Sequence, residues 1–191
     1  MIKKILFGDI ETTGLNPEIH GIHAIGSIID IDGRIASTYS SNKQPFKGCK
    51  VEEKALKVSG ITWNDIVKYP HDEVVFASFY EHVNVFADPA GIEKIYIAGY
   101  NSQDMERPFL MKWYERHGAS EIYKSTFHIA TLDVMVLAAK YFYDKGMSPV
   151  SYAQQNIADL LGISYDRSKL HNAAYDTQLT RDIYYKLQEL Q

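Results

Sequence analysis

Cysteine is nearly absent from this chain. Cys49 stands alone, which excludes an internal disulfide and makes a reducing, cytoplasmic setting the default. Long apolar runs are also missing. No stretch approaches the ~20 residues that span a bilayer. The opening Met-Ile-Lys-Lys-Ile-Leu-Phe is too short for a signal peptide, and the acids Asp9 and Glu11 follow it rather than a small-residue cleavage site. With no repeat, low-complexity tract or Gly/Ser linker, residues 1–191 read as a single domain. Excess positive charge is lacking too, with a net charge of -4 and a pI of about 6.0. A module that holds a duplex by phosphate neutralisation alone is usually basic, so the balance speaks against passive duplex binding. It does not speak against chemistry on phosphates, because bound divalent cations can supply the missing positive charge. What is present, 46% hydrophobic and 23% charged residues, is the composition of an ordinary globular protein with a real core.

The first forty residues read as β structure. Ile2 to Ile10 and Ile22 to Ile31 are apolar runs, Asp32-Gly33 signals a tight turn, and Arg34 to Ser40 is a third strand. Helical signals follow. Lys50 to Val58 is one segment, Thr62 caps a short helix ending before Pro70, and Val74, Val75, Phe79, Val83 and Phe86 give a further helix an apolar face that stops at Asp88-Pro89. Ile92 to Ala98 has strand length. A helix is expected from about Arg107 to His117-Gly118, a short strand at Phe127 to Ile129, then helices over Leu132–Tyr143, Val150–Leu161 and Ala173–Leu190. Consecutive strands followed by strands alternating with helices predict an α/β fold, a mixed sheet flanked by helices.

Two clusters carry chemistry. Asp9 and Glu11 end the first strand, and residues two apart on a strand share a face with Cα atoms ~6.6 Å apart. Two carboxylates at a largely buried sheet repel each other and lose solvation unless a cation joins them. Oxygen-only ligation suits Mg²⁺ or Mn²⁺ better than Zn²⁺. Asp-x-Glu alone is common by chance, and its simpler reading is a strand end that reaches solvent. The second cluster, His171-Asn-Ala-Ala-Tyr-Asp176, sits where the last helix begins, with Leu179, Ile183, Leu187 and Leu190 as that helix's core stripe. His171 cannot share the helical face of Asp176, so it is expected on the preceding loop, pointing inward. Histidine titrates near neutral pH and suits the deprotonation of an attacking water. Taken alone, it is more simply a capping or surface histidine.

Together these residues resemble the DEDDh group of 3′-to-5′ exonucleases, which includes proofreading subunits, ribonuclease T and oligoribonuclease. Asp9-Ile-Glu11-Thr-Thr-Gly-Leu15 and His171-x-Ala-x-x-Asp176 match its outer motifs, and Gly99-Tyr-Asn101 with Phe109-Leu110 is similar to its middle motif. Ile25-Gly26 and Val58-Ser-Gly-Ile-Thr62 lie in order between them, with Ser59 where the family often has His. Any one motif is weak; three in order are strong. The resemblance implies a ribonuclease H-like fold, a five-stranded mixed sheet with helices on both sides. It implies two Mg²⁺ or Mn²⁺ ions, Asp9 bridging them, Glu11 and Asp176 holding the ion that activates water, an acid of the middle motif placing the second ion, and His171 as general base. Two cations ~3.5–4 Å apart stabilise the attacking and leaving oxygens of an in-line displacement. The products would be nucleoside 5′-monophosphates. Thr12 and Leu15 match positions that contact the terminal nucleotide, through the main chain and by wedging against a base. Asn101 and Ile61 are carried over as further substrate-binding positions.

The third acid is ambiguous. Counting back from Phe109-Leu110 gives Glu106, while Asp104 has the family's usual side chain in another register. Proline favours Glu106. With Asp104 as helix cap, Pro108 would be the fourth helical residue, whose missing N–H should bond the cap carbonyl; with Glu106 as cap it is the second and costs no bond. Glu106 is therefore the expected acid and Asp104 its rival.

Weaker signals remain. Lys43, Lys47, Lys50, Lys54 and Lys57 could track a strand's phosphates or form a solvated basic face. Arg167 and Lys169 precede His171 and are candidates to hold substrate. Asp133 reads most simply as a first-turn acid. Tyr100 and Tyr175 could stack on bases, with packing as their default. The expected function is metal-dependent exonucleolytic hydrolysis of a single-stranded 3′ end, DNA favoured. The rivals are an exoribonuclease that trims RNA or short oligonucleotides and a catalytically silent module that binds nucleic acid or a polymerase. Intact Asp9, Glu11, His171 and Asp176 weigh against silence. Polymerase association would want a tail beyond the last helix, and the sequence given stops at Gln191. No membrane partner is expected, and the chain is expected to be a monomer or homodimer.

Overall fold

The computed structural model describes residues 2–190. Five strands form one mixed sheet in the order β3-β2-β1-β4-β5: β1 Lys4–Thr12, β2 Ile22–Ile31, β3 Arg34–Asn42, β4 Tyr96–Gly99 and β5 Leu132–Asp133. The first three are antiparallel neighbours, while β4 runs parallel to β1 and to β5. The β2–β3 hairpin turns on Asp32 (φ 50) and Gly33 (φ 85), two positive φ values that match a tight turn to the twist of its strands. The eight described helices are α1 Glu53–Val58, α2 Trp63–Ile66, α3 Asp72–Asn84, α4 Glu106–Arg116, α5 Ser120–Thr126, α6 Val134–Asp144, α7 Gln154–Leu160 and α8 Ala173–Glu189.

Alternation along β1 sends its side chains into two cores. Leu6 and Ile10 join Ile25, Ile29 and Ile97 under α3 and α4, where Phe79, Phe109 and Trp113 are buried. Ile5 and Phe7 face the other way with Ile28 and Ala98, against Tyr184 and Tyr185 of α8. The helical stripe Leu179, Ile183 and Leu187 of α8 packs in turn on Val134, Ala138, Phe142 and Ile157. Helices therefore cover both faces of the sheet, the arrangement that the resemblance implies. Asp30 of β2, 1% exposed, accepts the Tyr185 hydroxyl at 2.8 Å and pairs with Arg181 at 2.7 Å, so α8 is tied to the sheet by polar contacts as well as apolar ones.

Some expectations give way. Phe127–Ile129 forms no strand; Phe127 makes only an isolated bridge to Ile95, and the fifth strand lies at Leu132–Asp133, inside the expected helix. The cause is Asp133, whose side chain caps α6 and so delays the helix to Val134. Helix α5 had no sequence signal; it is a short helix held by Tyr123, which packs on Tyr114 and Phe127. The strand expected from Ile92 starts at Tyr96, because Asp88 accepts the N–H groups of Ala90, Ile92 and Glu93 and holds that stretch as a loop.

Candidate active site

Asp9 and Glu11 lie on the face of β1 that looks toward α8. Opposite Asp9 in the β1–β2 ladder stands Gly26. A Cβ there would come within 2.4 Å of the Ala173 carbonyl oxygen and 2.6 Å of the Ala174 nitrogen. Glycine at this position lets the first turn of α8 lie directly on the sheet, and that turn carries Asp176. Asn172 caps the helix through the Tyr175 N–H at 3.2 Å, and the Asp176 carboxylate accepts the His171 N–H at 2.8 Å. His171 takes a left-handed backbone (φ 65), rare for a non-glycine residue, to make that contact. It lies on the loop before α8, as expected, and is exposed at the rim of the site, its backbone bound to Asp176. There it remains close, with ligand atoms of Glu11, His171 and Asp176 all within 4.8 Å of one another.

The acid of the middle motif arrives by a different route. After β4 the chain turns through Asn101 (φ 71), whose carbonyl accepts the N–H groups of Asp104 and Met105, both at 3.1 Å. Glu106 then folds back over the strand end. A Cβ on Gly99 would stand 2.8 Å from the Glu106 Cδ and Oε2, so glycine is what permits the approach. Glu106 is 2% exposed, whereas Asp104 is exposed to solvent. Helix α4 starts one residue earlier than the proline argument assumed: Met105 is the cap, Glu106 the first helical residue and Pro108 the third. The proline still costs no bond, since its position belongs to the free first turn, and the bond to the Met105 carbonyl comes from the Phe109 N–H at 3.3 Å.

The electrostatics are those of crowded carboxylates. Loss of hydration pushes Asp9 well above the usual carboxylate range, and the charges of Glu106, Glu11 and Asp176 push it further. Burial raises Glu106 to about 8, with Asp133 adding to the shift. Glu11 and Asp176 are raised by burial as well, and both are eased by hydrogen bonds, Glu11 from Ser59 and Asp176 from the His171 N–H. Among the described residues, Glu106 Oε2 and Asp176 Oδ1 are buried without any hydrogen-bond partner. Orphaned buried acceptors are costly. Hard, oxygen-preferring divalent cations fit this donor set, since they would satisfy the orphaned oxygens and join carboxylates that otherwise repel one another.

Around the acids, Ser59 donates to Glu11 Oε2 at 2.6 Å. The sequence marked Ser59 only as a departure from the family; its contact with Glu11 depends on where α1 ends in space. A cavity of about 140 Å³ adjoins it, lined by Glu11, Asn42, Ser59, Ile61, Tyr69 and His171. Thr12 is buried and donates its hydroxyl to the Gly14 carbonyl at 2.8 Å. Leu15 is 69% exposed on the same loop, and Asn101 is half-buried with its N–H on Asp133 Oδ1 at 3.3 Å.

The weaker candidates separate by burial and pairing. Lys43 is 1% exposed, paired with Asp72 at 2.6 Å and donating to the Ile22 carbonyl at 2.9 Å, so it cannot meet a phosphate. Lys47, Lys50 and Lys57 are exposed, while Lys54 pairs with Glu52 at 3.2 Å. Arg167 pairs with Asp159 and Lys169 with Asp166 on the surface. The Tyr100 hydroxyl donates to the Tyr152 carbonyl at 2.7 Å, and the Tyr175 hydroxyl accepts the Asp166 N–H, which makes both supports of the local fold.

The sequence matches the family described as exonuclease over residues 6–184. It is 25% identical over 183 residues to ribonuclease T of Hahella chejuensis, covering 92% of this chain and 79% of that one. Identity to ribonuclease T of Shewanella frigidimarina is 27% over 183 residues, with 92% and 78% covered. Among solved structures, the zinc-bound E. coli exonuclease I in complex with single-stranded DNA shares the fold, with a TM-score of 0.77 at 19% identity over 99% of this chain. This chain spans 41% of the exonuclease I chain.

Proposed function

The chain belongs to the exonuclease family and is a 3′-to-5′ exonuclease; from that premise we propose that it removes nucleotides singly from the 3′ end of single-stranded DNA, using two Mg²⁺ or Mn²⁺ ions and residues 1–191 as one catalytic domain. The observation that carries this reading is the gathering of Asp9, Glu11, Glu106 and Asp176 around buried oxygens that lack partners. In the proposed site Asp9 would contribute to both ions, Glu11 and Asp176 would hold one, and Glu106 would hold the other. When bound, such a pair of ions supplies charge neutralisation to the attacked phosphate and to the attacking and leaving oxygens.

The protein's own groups do the rest. His171, at the rim and close to Glu11 and Asp176, takes the proton from the attacking water. Its backbone N–H holds the Asp176 carboxylate, and Ser59 holds that of Glu11. The main chain at Thr12, the exposed side chain of Leu15, and Ile61 beside the cavity engage the terminal nucleoside, with Asn101 next to the third acid. Asp104, exposed at the surface, takes no part.

RNA as the substrate is the second reading, favoured by the name of the ribonuclease T relatives. The test is a product time course on matched DNA and RNA single strands, labelled at the 3′ or 5′ end, with Mg²⁺ or Mn²⁺. The expected result is early release of the 3′ label as a nucleoside 5′-monophosphate, a descending ladder from the 5′ label, and faster loss of DNA. Faster loss of RNA selects the second reading. No product from either strand means a silent binding module.

A further inference from the structure

Asp133 does more than begin a helix. Its carboxylate accepts four backbone N–H groups from two separate segments. Oδ1 takes those of Met135 at 3.1 Å and Val136 at 3.3 Å, which is the cap of α6, and also that of Asn101 at 3.3 Å; Oδ2 takes that of Gln103 at 3.3 Å. A cap needs one oxygen, and here the second is given wholly to the turn between β4 and α4. That turn holds the left-handed Asn101 and leads directly into Glu106. Asp133 also pairs with Gly99 in the β4–β5 ladder, and Gly99 is the residue over which Glu106 folds. A buried carboxylate, 8% exposed, thus ties the sheet edge, a helix start and the third-acid turn together.

We propose that Asp133 is a positioning residue for the third metal-binding acid: by clamping the Asn101–Gln103 turn, it sets the Glu106 carboxylate where it holds a cation. The proposal rests on the reading of Glu106 as a metal ligand. A free turn at a strained φ would relax, and the Glu106 carboxylate would leave Asp9 with it. Outer partners of metal ligands typically govern affinity by ten- to hundredfold.

The two oxygens can be tested apart. In Asp133→Asn the amide oxygen can keep the α6 cap, while the NH₂ group meets the Gln103 N–H donor to donor. Asp133→Ser keeps a capping hydroxyl and removes the second arm altogether, and it carries the test if the Asn variant is unstable. The measurements are calorimetric Mn²⁺ titration of the full chain without substrate, melting temperature without metal, and kcat and KM on a single strand. We expect one Mn²⁺ to bind about ten- to hundredfold more weakly. The other should stay near its original affinity, kcat should fall with KM little changed, and melting should shift by only a few degrees. Asp104→Asn, which removes a nearby exposed charge, should leave Mn²⁺ binding unaltered. Lower melting with intact binding of both ions overturns the proposal and leaves Asp133 a helix cap. Glu106→Gln separates the levels. If it weakens one ion while the Asp133 variants do not, this proposal alone fails; if it leaves both ions unchanged, the ligand reading of Glu106 fails and takes this one with it.

Discussion

The acids on β1 and α8 differ from the acid on α4 in how they reach the same point. Asp9 and Glu11 share a face because strand side chains alternate, and Asp176 follows from a capped helix start packed on Gly26. Regular secondary structure places these three. Glu106 depends on an irregular turn, a left-handed Asn101, the open side of Gly99 and the clamp of Asp133. Regular elements let a side chain's direction be read from spacing, whereas a turn's geometry depends on partners that are remote in sequence. The first half of the site should therefore be sensitive mainly to changes in its ligands, and the second half also to changes in its supports.

The largest effect should come from the regular half. Asp9→Asn, or removal of divalent cations with EDTA, should lower turnover by about a thousandfold or more, the scale on which preorganised charge stabilisation is lost. The fold should survive, and metal-free melting should rise, because the Asn side chain ends the repulsion with Glu106, Glu11 and Asp176. Full activity in either condition would refute a two-cation site.

His171→Ala should follow, with kcat lower by about 10²–10⁴ and a residual rate that climbs with pH as hydroxide replaces the missing base. An unchanged rate at neutral pH would make His171 a structural residue, binding Asp176 through its backbone alone.

The irregular half sharpens the comparison. Glu106→Gln should cost roughly a hundredfold in activity, Glu106→Asp should retain a substantial part of it, and Asp104→Asn should be close to the parent protein. If Asp104→Asn proved the damaging change, the placing of the third acid at Glu106 would be wrong.

The smallest effect concerns stability without metal. Burial raises the Glu106 carboxyl from an ordinary 4.5 to about 8, so the folded chain binds this proton more tightly than the unfolded chain does. Between those values the folded state holds more protons, and stability falls as pH rises. The contribution is fully present below about 4.5 and is lost as pH passes through about 8. Metal-free protein should melt several degrees lower at pH 8.5 than at pH 6, and Mn²⁺ or Glu106→Gln should flatten that slope. A metal-free melting temperature that does not fall with pH would contradict the burial and crowding of this carboxyl.

What could be read from the sequence is what short-range periodicity controls. An apolar run revealed β1, the two-residue period of a strand put Asp9 and Glu11 on one face, Asp32-Gly33 revealed the hairpin, and the stripe Leu179-Ile183-Leu187 revealed α8. The proline count separated Glu106 from Asp104 with the helix start wrong by one residue, because Pro108 is tolerated anywhere in the free first turn. Other features had no local signature. Helix α5 is a short segment whose Tyr123 packs on Tyr114 of the preceding helix and on Phe127 at its own end, contacts that no apolar period announces. Lys43 looked like its exposed neighbours until Asp72 and Ile22, far along the chain, closed around it. Ser59 meets Glu11 across 48 residues, and Asp133 meets Gln103 across 30. The sequence by itself determined which acids this protein carries and the strand and helix that aim three of them, since those depend on neighbours two to four residues away. Only the tertiary structure decided how the fourth is brought in and which polar groups hold them all, because such contacts form between segments whose approach is set by the packing of helices on both faces of the sheet.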